Sequence, residues 1–176
     1  QSSPQFCDEG GEQVTCSPRV YDAERTRFYR NLGGGRFRDL TVSAGFETSE
    51  GKTWSLAPFD YNDDGLMDLY AANDIEPADL WRNLGGCRFQ NVGLASGTAL
   101  SPIGQAQGGM GVDIGDVDSD GRLDLWCTTY QGEDKTLFRN RDGASFEEIG
   151  RQSDLQNLRP LVSWGTVLED FNNDGA

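Results

Sequence analysis

The sequence predicts an all-β chain built from a repeated unit of four antiparallel strands, and three recurrences carry that prediction. The first is an aspartate-rich loop that begins at Asp60 (DYNDDGLMD), Asp116 (DVDSDGRLD) and Asp170 (DFNNDGA), with starts 56 and 54 residues apart. The second is an aromatic-Arg-Asn run with a glycine-rich centre and a returning phenylalanine: RFYRNLGGGRF (27–37), LWRNLGGCRF (80–89) and LFRNRDGASF (137–146). The third precedes each loop as TWSLAPFD, GMGVDIGD and SWGTVLED, in which Trp54, Met110 and Trp164 hold one position. Recurrence at a fixed period is read before any local signal, because a missed repeat mis-assigns the whole fold.

Along the chain, residues 1–18 carry Cys7 and Cys16 in a polar stretch, CDEGGEQVTC, with no strand alternation. A disulfide there would staple a loop that cannot build its own core, and the absence of histidine argues against a metal site. Residues 19–51 hold one copy of the Asn motif, in which Asn31 and Phe37 read as a hairpin with a tight turn and supply the outer two strands of a unit. Residues 52–107 form the first whole unit: strand, Asp loop, strand (MDLYAAN), connection, strand, glycine turn, strand ending at Phe89. Residues 108–160 repeat it, with LDLWCTTY as the second strand and Asn140 and Phe146 in the closing hairpin. Residues 161–176 supply only an inner strand and an unfinished loop. Four antiparallel strands in about 55 residues match one blade of a β-propeller, whose repeat is usually ~40–50 residues.

A closed propeller takes about 4–8 blades. The chain is therefore expected to be a portion of a larger protein, with a protomer completed by its neighbour's strands as the alternative.

The loops themselves point to calcium. Each places oxygen side chains at positions 1, 3 and 5 and glycine at position 6, and the two complete copies add Asp68 and Asp124 at position 9. Hard cations take six to eight oxygens at about 2.3–2.6 Å, and alternate residues of a tight loop aim carboxylates at one point. Turn chemistry alone accounts for one such loop, but not for the recurrence of position 9. An EF-hand is excluded: position 12 is Ala71 or Cys127, and the flanks alternate as strands do.

Composition agrees. With 29 acidic and 15 basic residues the formal charge is −14, and nine of the acids occupy the ligand positions of the loops. Nucleic acid is disfavoured as a partner by repulsion. No apolar run approaches the ~18 residues of a membrane span. Cys87 and Cys127 can pair or stay as free thiols. Arg30, Arg82 and Arg139 recur before each Asn and are expected to bond strand neighbours rather than form an anion row. Trp54 and Trp164 are expected in the blade cores. Ligand-binding surface is expected in the connections NDIEPAD (73–79), ASGTALSPIGQAQ (95–107) and YQGED (130–134).

The repeats TWSLAPFDYNDDGLMDLYAAND, GMGVDIGDVDSDGRLDLWCTTYQGEDKTLFRN and SWGTVLEDFNNDGA resemble FG-GAP/VCBS repeats, the propeller blades of integrin α-subunit heads and of many secreted bacterial proteins. The segment CSPRVYDAERTRFYRN (16–31), with the alternation of Asn hairpins and loops, resembles the ASPIC/UnbV-type secreted proteins and their animal relative, cartilage acidic protein. The resemblance implies Ca²⁺ held by Asp60, Asn62, Asp64 and Asp68, by Asp116, Asp118, Asp120 and Asp124, and by Asp170, Asn172 and Asp174. The position-7 carbonyls of Leu66 and Arg122 would complete the two full sites. Asn at position 3 of the first and third loops lowers the charge there and is expected to weaken binding.

The expected function is a secreted or cell-surface calcium-binding scaffold, non-catalytic, with structural calcium and with protein or glycan ligands on its top-face loops. The alternatives are a protomer that polymerises through its incomplete blades and a portion of a propeller polysaccharide lyase. The sequence has no histidine, no G-x-S-x-G and no Cys–His pair to supply a base or nucleophile.

Overall fold

The computed structural model describes residues 6–172. Strands β1 (Phe6–Glu9) and β2 (Glu12–Thr15) form a hairpin closed by the Cys7–Cys16 disulfide, with Cα atoms 5.0 Å apart. The expected bridge is present, but the segment pairs as strands where none was expected. Glu9 and Glu12 face each other across the Gly10–Gly11 turn, in which both glycines have positive φ. Strands β3 (Glu24–Arg25), β4 (Tyr29–Gly33), β5 (Arg36–Asp39) and β6 (Glu50–Gly51) follow; β4 pairs with β5, and β3 pairs with β6.

Two four-stranded antiparallel sheets then follow the order read from the repeat. The first is β7 (Thr53–Phe59), β8 (Asp68–Asn73), β9 (Asp79–Asn83) and β10 (Phe89–Asn91). The second is β11 (Gly109–Gly115), β12 (Asp124–Thr129), β13 (Thr136–Asn140) and β14 (Phe146–Glu148). Each is an up-and-down sheet with the Asp loop between its first two strands. A single helical turn, α1 (Gly93–Ser96), closed by Gly97 with a left-handed φ of 86°, joins the sheets.

The core lies between blades. One apolar cluster joins Phe59, Tyr61, Tyr70, Ala72 and Leu80 of the first blade to Leu125, Cys127, Phe138 and Phe146 of the second. Another joins Ala44 and Phe46 of the half-blade to Trp81, with Phe28 and Phe89 packed against it. Phe46 centres that second cluster, its ring 4.3 Å from Trp81 and 5.4 Å from both Phe28 and Phe89. All six residues of β12 are buried, and β8 nearly matches it, as expected of strands covered on both faces.

Residues 161–172 depart from the expected inner strand: they form no ladder among the described residues. In the two complete blades the inner strand is held by the strand after its loop, and no described strand follows this one. The segment instead lies against β11 and β12. The Trp164 carbonyl presses onto Gly111, where a Cβ would sit 1.9 Å from the oxygen, and Thr128 Oγ1 donates to the same carbonyl at 3.3 Å. Lys135, fully buried, donates from Nζ to the carbonyls of Thr129 (2.6 Å), Tyr130 (3.2 Å) and Leu161 (2.8 Å), tying the segment to the second blade.

Trp54 and Trp164 are not core residues. They are 58% and 53% exposed and meet edge to face at 5.2 Å, whereas Met110, at the equivalent position, is buried. Cys87 and Cys127 are free thiols. Cys127 lies in the inter-blade core, where burial pushes its thiol up to about 12.

Candidate metal centre

The two complete Asp loops share one backbone. Position 4 is left-handed in both (Asp63, φ 56°; Ser119, φ 59°), and position 6 is a glycine with φ of 81° (Gly65) or 87° (Gly121). That path needs glycine at position 6, since a side chain there would be strained. The position-1 carboxylate folds back on its own loop in each case. Asp60 accepts from the N–H groups of Asp64 (3.1 Å) and Gly65 (2.7 Å); Asp116 accepts from those of Asp120 (3.1 Å) and Gly121 (2.8 Å). Position 5 caps position 7, with Asp64 accepting from Leu66 N–H at 3.0 Å and Asp120 from Arg122 N–H at 2.9 Å.

This folding brings the acids of the second loop together. Asp116, Asp118 and Asp120 each offer a carboxylate oxygen, and these oxygens lie within 4.8 Å of one another. Oxygen donors at that mutual distance fit a hard divalent cation, because each carboxylate oxygen keeps lone-pair capacity beyond one N–H bond. In the first loop Asn62 takes the place of the middle acid, and its Nδ2 donates to Asp64 Oδ2 at 3.0 Å. Cationic side chains also reach these acids. Arg139 lies 3.6 Å from Asp118, Arg82 lies 3.9 Å from Asp64, and the Arg122 guanidinium pairs with Asp120. Arg139 further bonds Glu147, its cross-strand neighbour, at 2.7 Å, so at this copy the arginine bonds a strand neighbour as expected and reaches the loop as well. Of the third loop, Asp170 and Asn172 are described, and Asp174 lies outside the described residues.

Position 9 is placed apart from the group of three. Asp68 and Asp124 are fully buried, and each uses both oxygens on backbone. Asp68 accepts from Tyr61 N–H (3.3 Å) and Asn83 N–H (2.6 Å); Asp124 accepts from Val117 N–H (2.9 Å) and Asn140 N–H (2.8 Å). Burial raises both carboxyls above the ordinary aspartate value, against the downward pull of these N–H donors. The arrangement clamps the loop to the hairpin of the same blade.

The asparagine of the hairpin is the other half of the clamp, a role that sequence reasoning did not give it. Asn83 and Asn140 each accept at Oδ1 from a turn glycine at 2.9 Å and donate from Nδ2 to the position-8 carbonyl, Met67 (2.9 Å) or Leu123 (3.2 Å). Asn140 also donates to the Tyr61 carbonyl of the preceding blade at 2.7 Å, with Gly143 packed on the Asn62 backbone. Its strict recurrence was the available signal, because a residue serving only a turn is readily exchanged for Asp or Gly.

The connections expected to bind ligand are partly spent on structure. Asn73 is buried, with Oδ1 accepting from Thr53 Oγ1 at 2.6 Å and Nδ2 donating to Pro77 O at 2.8 Å. Gln107 joins the other two connections by donating to the Asp134 carbonyl at 3.0 Å. Ile103 and Tyr130 remain exposed.

Among the described residues no helix is long and apolar enough to cross a membrane. Among curated proteins no relative matches the chain. The profile of the FG-GAP-like repeat matches residues 17–71 and again residues 60–127, overlapping at the first Asp loop and reaching from the half-blade into β12. With more than half of its length matched, and with two antiparallel four-stranded blades in place, the chain belongs to the family of FG-GAP-like repeat proteins.

Proposed function

We propose that the chain is a secreted, calcium-stabilised propeller scaffold that binds protein or glycan ligands and has no catalytic role of its own. The family supports the coarser reading of an adhesion or binding scaffold. The observation that carries the calcium reading is the convergence of Asp116, Asp118 and Asp120 on a loop whose backbone is repeated at Asp60–Asp68. Asp60, Asn62, Asp64, Asp68 and the Leu66 carbonyl would hold one ion, and Asp116, Asp118, Asp120, Asp124 and the Arg122 carbonyl a second. Asp170, Asn172 and Asp174 would contribute to a third. Calcium supplies positive charge where carboxylates crowd, so its binding energy becomes folding energy. The spacing of the loop acids is accounted for by the loops themselves, which argues against reading them as a hydrolytic carboxylate pair. The disulfide and the family together support an extracellular setting. Within the family, the segment 16–31 supports kinship with the ASPIC/UnbV-type group.

A second reading rests on β4, which pairs only with β5 among the described residues, whereas β9 and β13 are paired on both sides. A neighbouring blade, from the same protein or a second copy, would then supply the strand that β8 and β12 supply elsewhere.

Thermal unfolding with EDTA and with restored calcium tests the proposal. At free calcium 100-fold above Kd each site adds about 2.7 kcal/mol, so chelation lowers Tm sharply and calcium restores it, while equimolar magnesium does not. An unchanged Tm refutes the calcium reading. The solution mass of the native protein separates a single copy from an assembly.

A further inference from the structure

The N-terminal hairpin belongs to neither blade, and the segment that leaves it, residues 15–24, walls a cavity of about 460 Å³ against the start of β7. Cys16, anchored by the Cys7–Cys16 bridge, contributes with Pro18 and Tyr21 from one side, and Thr53 and Trp54 from the other. Asp22, Glu24 and Asp74 also line it. Asp74 is only 5% exposed, and its Oδ2 accepts from Trp54 Nε1 at 3.3 Å. The lining lysine, Lys52, is already engaged by Glu76 at 3.0 Å.

We propose that this cavity binds an organic cation on an apolar stem, the chemistry of a lysine or arginine side chain presented by a partner protein. Three features converge on that ligand. Trp54 stays exposed while Met110, its counterpart in the next blade, is buried, and the perpendicular Trp164 ring and Asp74 hold the indole in place. An indole face attracts cations more strongly than any other side-chain ring. The three lining carboxylates outnumber one lysine that is itself neutralised, so the cavity favours positive charge and repels anions. The lining is otherwise apolar enough for a methylene stem, and the volume falls in the usual range of about 300–1,000 Å³ for ligand sites. The Cys7–Cys16 staple thereby acquires a purpose: it holds one wall of a recognition site.

This inference rests on the binding-scaffold reading and is tested with small probes on the calcium-loaded full chain. Nα-acetyl-lysine-methylamide and Nα-acetyl-arginine-methylamide are titrated at physiological ionic strength while the Trp54 indole N–H resonance is followed, with the norleucine amide as the uncharged isostere. Saturable shifts with the two cations, and none with norleucine, are expected. Trp54→Ala and the surface pair Asp22→Asn/Glu24→Gln should each weaken binding at least tenfold, while Asp154→Asn, a remote change that removes one negative charge, should leave it within twofold. Equal weakening by Asp154→Asn would reduce the effect to overall charge, equal binding of norleucine would make the cavity merely apolar, and no shift with either cation would remove the site; each overturns the proposal. An intact calcium response in the melting experiment, alongside any of these, confines the failure to this cavity.

Discussion

The hairpin at residues 29–39 and the hairpins of the two complete blades are written with the same motif, and they end in opposite surroundings. Asn31 makes the same turn bond as its counterparts, accepting from Gly33 N–H at 2.8 Å. Asn83 and Asn140 add the loop clamp, because an Asp loop and second strand precede them in their own blade. The returning phenylalanine follows the same gradient. Phe37 is 62% exposed, Phe89 is half-buried against Phe28 and Phe46, and Phe146 is 8% exposed in the inter-blade core. The motif thus encodes its turn locally, while burial comes from the unit that precedes it in the chain.

The largest test of this contrast is truncation of the phenylalanines. Phe146→Ala should cost about 3–5 kcal/mol in chemical denaturation, as for other fully packed aromatics. Phe37→Ala should stay within about 0.5 kcal/mol, as for surface positions. Equal losses would mean that residues 29–39 are covered in solution, which would favour the assembly reading.

The asparagines give a finer grading. Asn140→Ala removes a turn bond and two carbonyl contacts, one reaching the neighbouring blade, and should cost about 2–3 kcal/mol. Asn83→Ala, with one carbonyl contact fewer, should cost about 1–2 kcal/mol, and Asn31→Ala about 0.5 kcal/mol. Any other order in urea melts breaks the clamp argument.

The smallest effect separates the two Asp loops. Asn62→Asp gives the first loop the charge of the second and should raise its calcium affinity roughly three- to tenfold in a chelator competition, since ligand charge sets affinity. The same change removes the Asn62–Asp64 hydrogen bond and places like charges together, so the calcium-free protein should melt lower. Unchanged affinity would mean that position 3 does not reach the ion.

Much of this was legible in the sequence because it is local. The strands of both blades, the loop backbone and the hairpin turns depend on residues a few positions apart, and the period exposed them. What was not legible depends on neighbours. Trp54, Met110 and Trp164 share a place in the repeat, yet only Met110 is buried, since burial depends on what lies beyond each blade. Residues 161–168 carry strand alternation but no ladder, because a strand needs a partner and alternation cannot supply one. Asp68 and Asp124 recur at position 9 of the loops. Their spacing was visible, but their backbone contacts, which reach asparagines 15 and 16 residues away, were not. The N-terminal hairpin was hidden by polar, exposed residues that give no apolar alternation, although its turn glycines were in plain view.

The bond from Asn140 to the Tyr61 carbonyl, with Gly143 seated on the Asn62 backbone, makes the turn of one blade a reader of the loop before it. Every joint of that kind is nearest-neighbour, so cooperativity along the chain should behave as a one-dimensional series of couplings. Such an array can gain or lose whole units by duplication or deletion when the cut respects the period and each joint absorbs the change in angle that a closed ring of different blade number imposes.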